Sequence, residues 1–207
     1  MSKYKVAYID EVDSERRRFQ RFARNYFDVI PFRPNREKEI TVSEILESHV
    51  DAVIADFDLS EQDETIHYTG DQLVSLILEE REMFPVFILT SYEDDAVSKG
   101  EDVNIVYEKS EIANGEKFLE RVKTQIEKYY SKLEEAEKRL LALIEKGKET
   151  KLDAQEEKEL AELDSLIEKS LDKKIVVPDK IKEDTEEDKL GDLLKKVDEL
   201  AKKLEKK

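Results

Sequence analysis

Short apolar runs alternate with longer amphipathic stretches through the first half of the chain. Apolar runs of this length, bounded by turn signals, read as buried strands of a parallel sheet. Five are predicted: Lys5–Asp10, Phe27–Phe32, Asp51–Phe57, a fourth opened by Pro85 and running through Val86-Phe87-Ile88-Leu89, and Val103–Tyr107. Pro31 offers no N–H to a ladder, which puts the second strand at or near an edge. A helix is predicted from Ser14 to about Tyr26, with Asp13 or Ser14 as its N-cap and Phe19, Phe22, Ala23 and Tyr26 on its apolar face. Thr41 or Ser43 can cap a short helix ending near Ser48, and another should begin at Gly70-Asp71 and bury Leu73, Leu76 and Ile77. Tyr92–Gly100 leaves room for one more short helix between the last two strands. Strand and helix in alternation predict an α/β fold, a five-stranded doubly wound parallel sheet.

From about Asn114 the pattern becomes purely helical. Phe118, Val122, Ile126, Tyr129, Leu133, Ala136, Leu140 and Ile144 recur at spacings of three and four without a helix breaker, so the last helix of the α/β layer is expected to run on beyond it. Gly147 is expected to stop it, Lys148–Lys151 to turn the chain, and a second helix to start near Asp153 with Leu160, Leu163, Ile167 and Leu171 on one face. Two apolar stripes joined by a short loop read as an antiparallel hairpin over about 131–172. Ile175-Val176-Val177-Pro178 breaks it, and a third helix is expected over about 183–205. The domain organisation is therefore 1–130 for the α/β domain and 131–207 for a helical extension.

Composition narrows the function. The chain has 207 residues, no cysteine and a net charge of −16. The absence of cysteine rules out disulfides, thiolate catalysis and Cys-ligated zinc. Residues 1–130 hold 17 Lys and Arg against 29 Asp and Glu, a balance of −12, which leaves −4 for the rest. So acidic a surface repels phosphate backbones, and no helix-turn-helix with a basic recognition helix is visible, so nucleic acid is not an expected partner. The cluster Arg16, Arg17, Arg18, Arg21 and Arg24 reads as the solvated face of the first helix. No apolar run suits a signal peptide or a membrane span, so no membrane is expected and the setting is expected to be cytoplasmic.

The strand ends carry the chemistry. The first run ends at Asp10-Glu11, the third at Asp56, the fourth at Thr90-Ser91, and the fifth leads through Glu108 to Lys109. In an open α/β sheet, ligands bind where the carboxyl ends of the strands meet. Neighbouring parallel strands would therefore bring three carboxylates, a hydroxyl and an ammonium to one crevice, a set able to hold a divalent cation and a phosphate. An acidic pair after the first strand, a lone Asp after the third, Thr or Ser after the fourth and Lys after the fifth resembles the receiver domain of two-component response regulators. The resemblance covers roughly the first 125 to 130 residues, about one domain. It implies a flavodoxin-like receiver fold and a phosphorelay role. Asp56 would be the phosphoacceptor, taking its phosphoryl group from a histidine kinase or phosphotransfer protein. Mg2+ would be held by Asp10, Glu11, Asp56 and the backbone carbonyl of Asp58. Lys109 would neutralise the phosphoryl group, and Thr90 would donate a hydrogen bond to it and reorient as the fourth-strand loop moves.

Several positions depart from that pattern. Ser110 stands where Pro usually follows the Lys, so the usual cis peptide is not expected. Val106 occupies the place of the switching aromatic, while Tyr107, one residue off, should face the other way. Ser60 replaces a Pro, and the segment before Gly70 is longer than usual. These changes leave the phosphorylation chemistry intact and alter the signalling face. Two other readings carry weight. Asp56-Phe57-Asp58 and Phe87-Ile88-Leu89-Thr90-Ser91 resemble the first two motifs of haloacid-dehalogenase-like phosphatases, with Asp56 as nucleophile and Asp58 as general acid. In that family, however, the acidic pair comes after the nucleophile, whereas Asp10-Glu11 comes before it. The third reading is a scaffold whose receiver site is unused. His49 and His67 both lie outside the C-terminal helices, so these cannot supply a phosphorylatable His. The extension is therefore expected to act on a protein effector, most directly as a homodimer through the long helix.

Overall fold

The computed structural model of this chain describes residues 3–91, 106–109 and 116–170. Five parallel strands form one sheet in the order β2-β1-β3-β4-β5: β1 Lys5–Ile9, β2 Asp28–Phe32, β3 Ala52–Asp56, β4 Val86–Thr90 and β5 Val106–Glu108. The connecting helices are α1 Asp13–Ala23, α2 Lys38–Glu47 and α3 Gly70–Glu80. After β5 come α4, Glu116–Glu149, and α5, Ala154–Ser170. The chain divides into two compact units, 1–135 and 136–207. Strand β2 is an edge, and since Asp28 N–H donates to Tyr4 O at 2.8 Å, alternation turns the nitrogen of Pro31 away from β1. The missing N–H costs no ladder bond there.

Alternation along the strands builds two cores. On one face Ala7, Ile9, Val53, Ala55, Val86 and Ile88 meet Val42 and Ile45 of α2 and Leu73, Val74 and Ile77 of α3. On the other, Val6, Tyr8, Ala52, Ile54, Phe87 and Leu89 meet Phe19 and Ala23 of α1 and Phe118, Leu119, Val122 and Ile126 of α4. Val106 packs on the first face and Tyr107 on the second, where its ring lies 5.3 Å from that of Phe118. The three inner strands, β1, β3 and β4, are thus covered on both sides, the condition for an all-parallel sheet. The reversal in strand order falls between β1 and β3, so the crevice lies at their carboxyl ends.

The segment 57–69 is well built. Leu59, Ile66 and Tyr68 are buried in the first core. Tyr68 Oη donates to Asn35 O at 2.7 Å and lies 2.9 Å from Thr41 Oγ1, and Arg33 pairs with Asp63 at 3.0 Å. These bonds tie the segment to the turn between β2 and α2. They also correct the expected cap. Thr41 lies inside α2, which begins after Glu37, because its hydroxyl accepts Asn35 N–H at 2.9 Å and serves this network. The cap of α1 is likewise neither Asp13 nor Ser14, lying one and two residues before them. Val12 is the N-cap and offers no side-chain cap, while the carboxylate of Asp10 accepts Val12 N–H at 2.8 Å.

In the second unit, Ala136, Leu140 and Ile144 of α4 pack with Ile167, Leu160, Leu163 and Leu166 of α5. Arg139 pairs with Glu159 through two 2.7 Å hydrogen bonds, and Lys146 pairs with Glu156. The partner numbers fall as the α4 numbers rise, as an antiparallel hairpin requires. Gly147 does not end α4, which continues to Glu149. The glycine keeps helical geometry, with the Leu152 side chain 3.6 Å from where a Cβ would stand. The turn comes later, where Asp153 Oδ1 accepts the N–H groups of Gln155 and Glu156 at 2.9 Å and caps α5. The helices expected at Tyr92–Gly100 and over about 183–205, residues 103–105 of the fifth strand, and Ser110 lie outside the described residues. Among the described residues no helix is long and apolar enough to cross a membrane.

Candidate functional site

Asp10 and Glu11 follow directly on β1, Asp56 ends β3, Thr90 ends β4 and Lys109 follows β5. Since Asp56 registers with Leu89, and Thr90 with Glu108, these side chains start from adjacent strand ends. Asp10 is 0% exposed, Asp56 4% and Glu11 8%, and one carboxylate oxygen from each lies within 4.8 Å of the others. Thr90 is buried too, and its carbonyl accepts Lys109 N–H at 2.7 Å, which pins the lysine beside the cluster. Lys109 Nζ sits 2.9 Å from Asp56 Oδ1. The structure therefore brings together Asp10, Glu11, Asp56 and Lys109, with Thr90 at the adjoining strand end. Asp58 is exposed, and its Oδ1 accepts both Ser60 N–H at 3.2 Å and Ser60 Oγ–H at 3.0 Å, so its carboxylate is engaged outside the cluster.

The backbone around Asp56 is fixed from the other side by α3. Gly70 N–H donates to Phe57 O at 2.8 Å, and a Cβ on Gly70 would lie 2.1 Å from the carbonyl oxygen of Asp56. Only glycine admits so close an approach of two backbones.

Three carboxylates and one ammonium leave an excess of buried negative charge, and the proton affinities follow. Burial pushes Asp56 up to about 7; Lys109 opposes the rise, and Asp10 and Glu11 add to it. Burial also raises Asp10, against hydrogen bonds from Val12 and Tyr8, and raises Glu11, with Asp10 adding to the effect. For Lys109 burial works against the charge, but Asp56 outweighs it and the ammonium is held more firmly than in water. Both oxygens of Glu11 are buried without a hydrogen-bond partner. Unpartnered buried carboxylate oxygens are costly unless something cationic meets them. The donor set is entirely hard oxygen, which suits Mg2+. The residues fit such an ion.

Two neighbours of the site were not among the sequence candidates. Tyr8 Oη donates to Asp10 Oδ2 at 2.9 Å. Its signal was strand alternation, which puts residues 8 and 10 on the same side. Arg16, expected on the solvated face of α1, is instead largely buried, donating to the carbonyl of Asp10 and pairing with Asp13 at 3.3 Å. Helical spacing does separate it from Arg17 and Arg18: Arg16 stands three and seven residues before the buried Phe19 and Ala23, whereas the side chains of Arg17 and Arg18 stay exposed.

No family model matches this chain, and no curated protein sequence matches it. Solved structures of similar fold do exist. The anti-anti-sigma factor PhyR from Bartonella quintana is 13% identical with a TM-score of 0.48, the match covering 66% of this chain and 52% of that one. This chain therefore spans about half the length of that protein. The BeF3-activated DrrB receiver domain is 23% identical with a TM-score of 0.43 and is matched over 98% of its length and 60% of this chain. The signal receiver domain of an HD domain-containing protein from Pseudomonas fluorescens Pf-5 is 15% identical with a TM-score of 0.49, covering 65% of this chain and 94% of that one. The flavodoxin-like fold of the first unit stands on its own strand order and crossovers.

Proposed function

We propose that this chain is a phosphorelay response regulator in which Asp56 accepts a phosphoryl group from a phosphohistidine of a histidine kinase or phosphotransfer protein. The observation that carries this is Asp56 itself: buried, 2.9 Å from Lys109, and inside a cluster whose Glu11 oxygens have no partner. An Asp56 oxygen attacks phosphorus, the P–N bond breaks, and the imidazole leaves with the electron pair. Phosphoryl transfer asks the protein mainly for positioning and charge neutralisation. Lys109 holds the nucleophile and neutralises a phosphoryl oxygen, and Thr90 donates to another. Mg2+ would be held by Asp10, Glu11, Asp56 and the carbonyl of Asp58, and would offset the negative charge of carboxylates and phosphoryl oxygens. The Asp58 carboxylate is exposed and accepts from Ser60, whereas a general acid would be aimed at the leaving group beside Asp56, which favours a phosphoacceptor over a phosphatase. Turnover is then limited to auto-dephosphorylation, in a cytoplasmic setting.

Incubation with acetyl phosphate and Mg2+ should add one labile phosphate, seen by intact mass spectrometry and absent in Asp56→Asn. A label that survives this substitution excludes Asp56 as the acceptor.

The extension is proposed to pass the state of Asp56 to a protein effector and to join two copies of the chain. Leu140 and Ile144 are spent within the second unit, whereas Leu141 is 41% exposed on α4. Sedimentation should give about twice 24.2 kDa, and Leu141→Glu should lower the mass towards the monomer without loss of helix content. A monomeric native protein, with and without phosphodonor, would leave the hairpin as a purely intramolecular element.

A further inference from the structure

Tyr8 lies two residues before Asp10 on a strand, so both side chains leave on the same face. The ordinary role of a buried strand tyrosine is packing, and Tyr8 does pack. It is 3% exposed, with its ring stacked on Phe19 at a centroid distance of 4.1 Å and 10° from parallel. A buried tyrosine hydroxyl also needs a partner. Here the partner is Asp10 Oδ2, at 2.9 Å. The other oxygen, Oδ1, accepts Val12 N–H at 2.8 Å, and Arg16 holds the carbonyl of the same residue. Asp10 is thus gripped at three points. Glu11, next to it, accepts nothing on either oxygen. The two adjacent acids are therefore unequal: one carboxylate is fixed in orientation, while the other keeps every lone pair available.

We propose that Tyr8 is a positioning residue that locks the Asp10 carboxylate and thereby makes the site selective for a small octahedral divalent cation. The proposal rests on the reading of Asp10, Glu11 and Asp56 as cation ligands. Mg2+ demands near-ideal octahedral geometry at about 2.0–2.1 Å, whereas Ca2+ accepts six to eight oxygens in flexible arrangements and takes carboxylates in bidentate fashion. A carboxylate held by Tyr8 and Val12 cannot swing into a bidentate pose, which penalises the larger ion. Released from Tyr8, it can. Groups that orient a metal ligand from behind are typically worth about 10–100-fold in affinity.

The test is the pair of Mg2+ and Ca2+ affinities of the full chain, measured by calorimetric titration in the native protein, Tyr8→Phe and Tyr130→Phe. Tyr8→Phe keeps the ring and its stacking on Phe19 and removes one oxygen. Tyr130 Oη also donates to a carboxylate, that of Asp51 before β3, at the opposite strand ends from the site. Tyr130→Phe therefore controls for losing a tyrosine–carboxylate bond as such. Mg2+ affinity should fall about tenfold in Tyr8→Phe, and the preference for Mg2+ over Ca2+ by a similar factor, with neither change in Tyr130→Phe. The chain has eight tyrosines and no tryptophan, so Mg2+ should also produce a tyrosine difference spectrum that Tyr8→Phe abolishes. A native protein that binds neither ion overturns the cation-site reading itself. A native protein that binds Mg2+, with an unchanged ion preference in Tyr8→Phe or an equal loss in Tyr130→Phe, overturns the role of Tyr8 alone.

Discussion

Gly70→Ala is expected to destabilise the first unit by about 3 kcal/mol or more and to slow phosphorylation of Asp56 by about two orders of magnitude. The added Cβ would fall 2.1 Å from Asp56 O, 2.9 Å from Asp56 C and 3.2 Å from Phe57 Cα, all backbone atoms. A flexible side chain could swing away, but these atoms cannot. Either the start of α3 lifts, breaking the 2.8 Å bond from Gly70 N–H to Phe57 O, or the end of β3 moves and takes the Asp56 carboxylate with it. Relief of the clash therefore displaces the reacting group. Left-handed backbone is not the cause, since no glycine among the described residues has a positive φ. Gly147→Ala gives the contrast. Its Cβ meets only Leu152 at ordinary contact distance, 3.6 Å, inside a helix, so it should stabilise the hairpin by about 0.5–1 kcal/mol. Urea unfolding of both variants, with the rate of acetyl-phosphate labelling for Gly70→Ala, checks the pair. A Gly70→Ala protein as stable and as readily labelled as the native one would mean that α3 does not set the position of Asp56.

The metal-free protein should be more stable at pH 5.5 than at pH 8. The sign follows from Asp56. Its pKa stands at about 7 in the folded chain, raised chiefly by burial, against about 3.9 when unfolded. Between these values the folded state holds a proton that the unfolded state has lost, so stability is complete below the lower value and is lost as pH rises through the upper one. Asp10 and Glu11 are raised as well and act in the same direction. Lys109, also raised, loses its contribution only in the alkaline range, so it leaves this window flat. The swing is on the order of a few kcal/mol, which is about 5–10 °C in melting temperature. Mg2+ should reverse it. A cation binds the deprotonated carboxylates, so millimolar Mg2+ should raise the melting temperature more at pH 8 than at pH 5.5. In Asp10→Asn/Glu11→Gln the Mg2+ response should vanish, and the metal-free protein should become more stable than native at pH 8. Melting curves that neither change between the two pH values nor respond to Mg2+ would mean that the cluster carries no charge conflict.

The architecture was legible because its signals are local. Runs such as Ala52-Val53-Ile54-Ala55 are apolar on both faces, which only a doubly covered strand tolerates, and Pro31 marked an edge by the donor it lacks. Asp10, Glu11, Asp56, Thr90 and Lys109 were legible for a related reason: parallel strands carry whatever follows them to one end of the sheet. Local signals misled where a side chain had a distant use. Thr41 has the chemistry of a cap, but Tyr68, 27 residues on, draws it into a buried network. Gly147 has the chemistry of a stop, but it keeps helical geometry and the helix runs through to Glu149. Arg16 resembles its neighbours in sequence, yet the helix rotation that buries Phe19 also lays Arg16 against Asp10. By itself the sequence determined the strands, the two amphipathic layers and the acidic strand ends, since these depend on spacing along one chain. The tertiary structure alone decided which acid is held and which is left unpartnered, and that Gly70 presses on Asp56. Those facts depend on ångström distances between residues that meet only when the chain has folded.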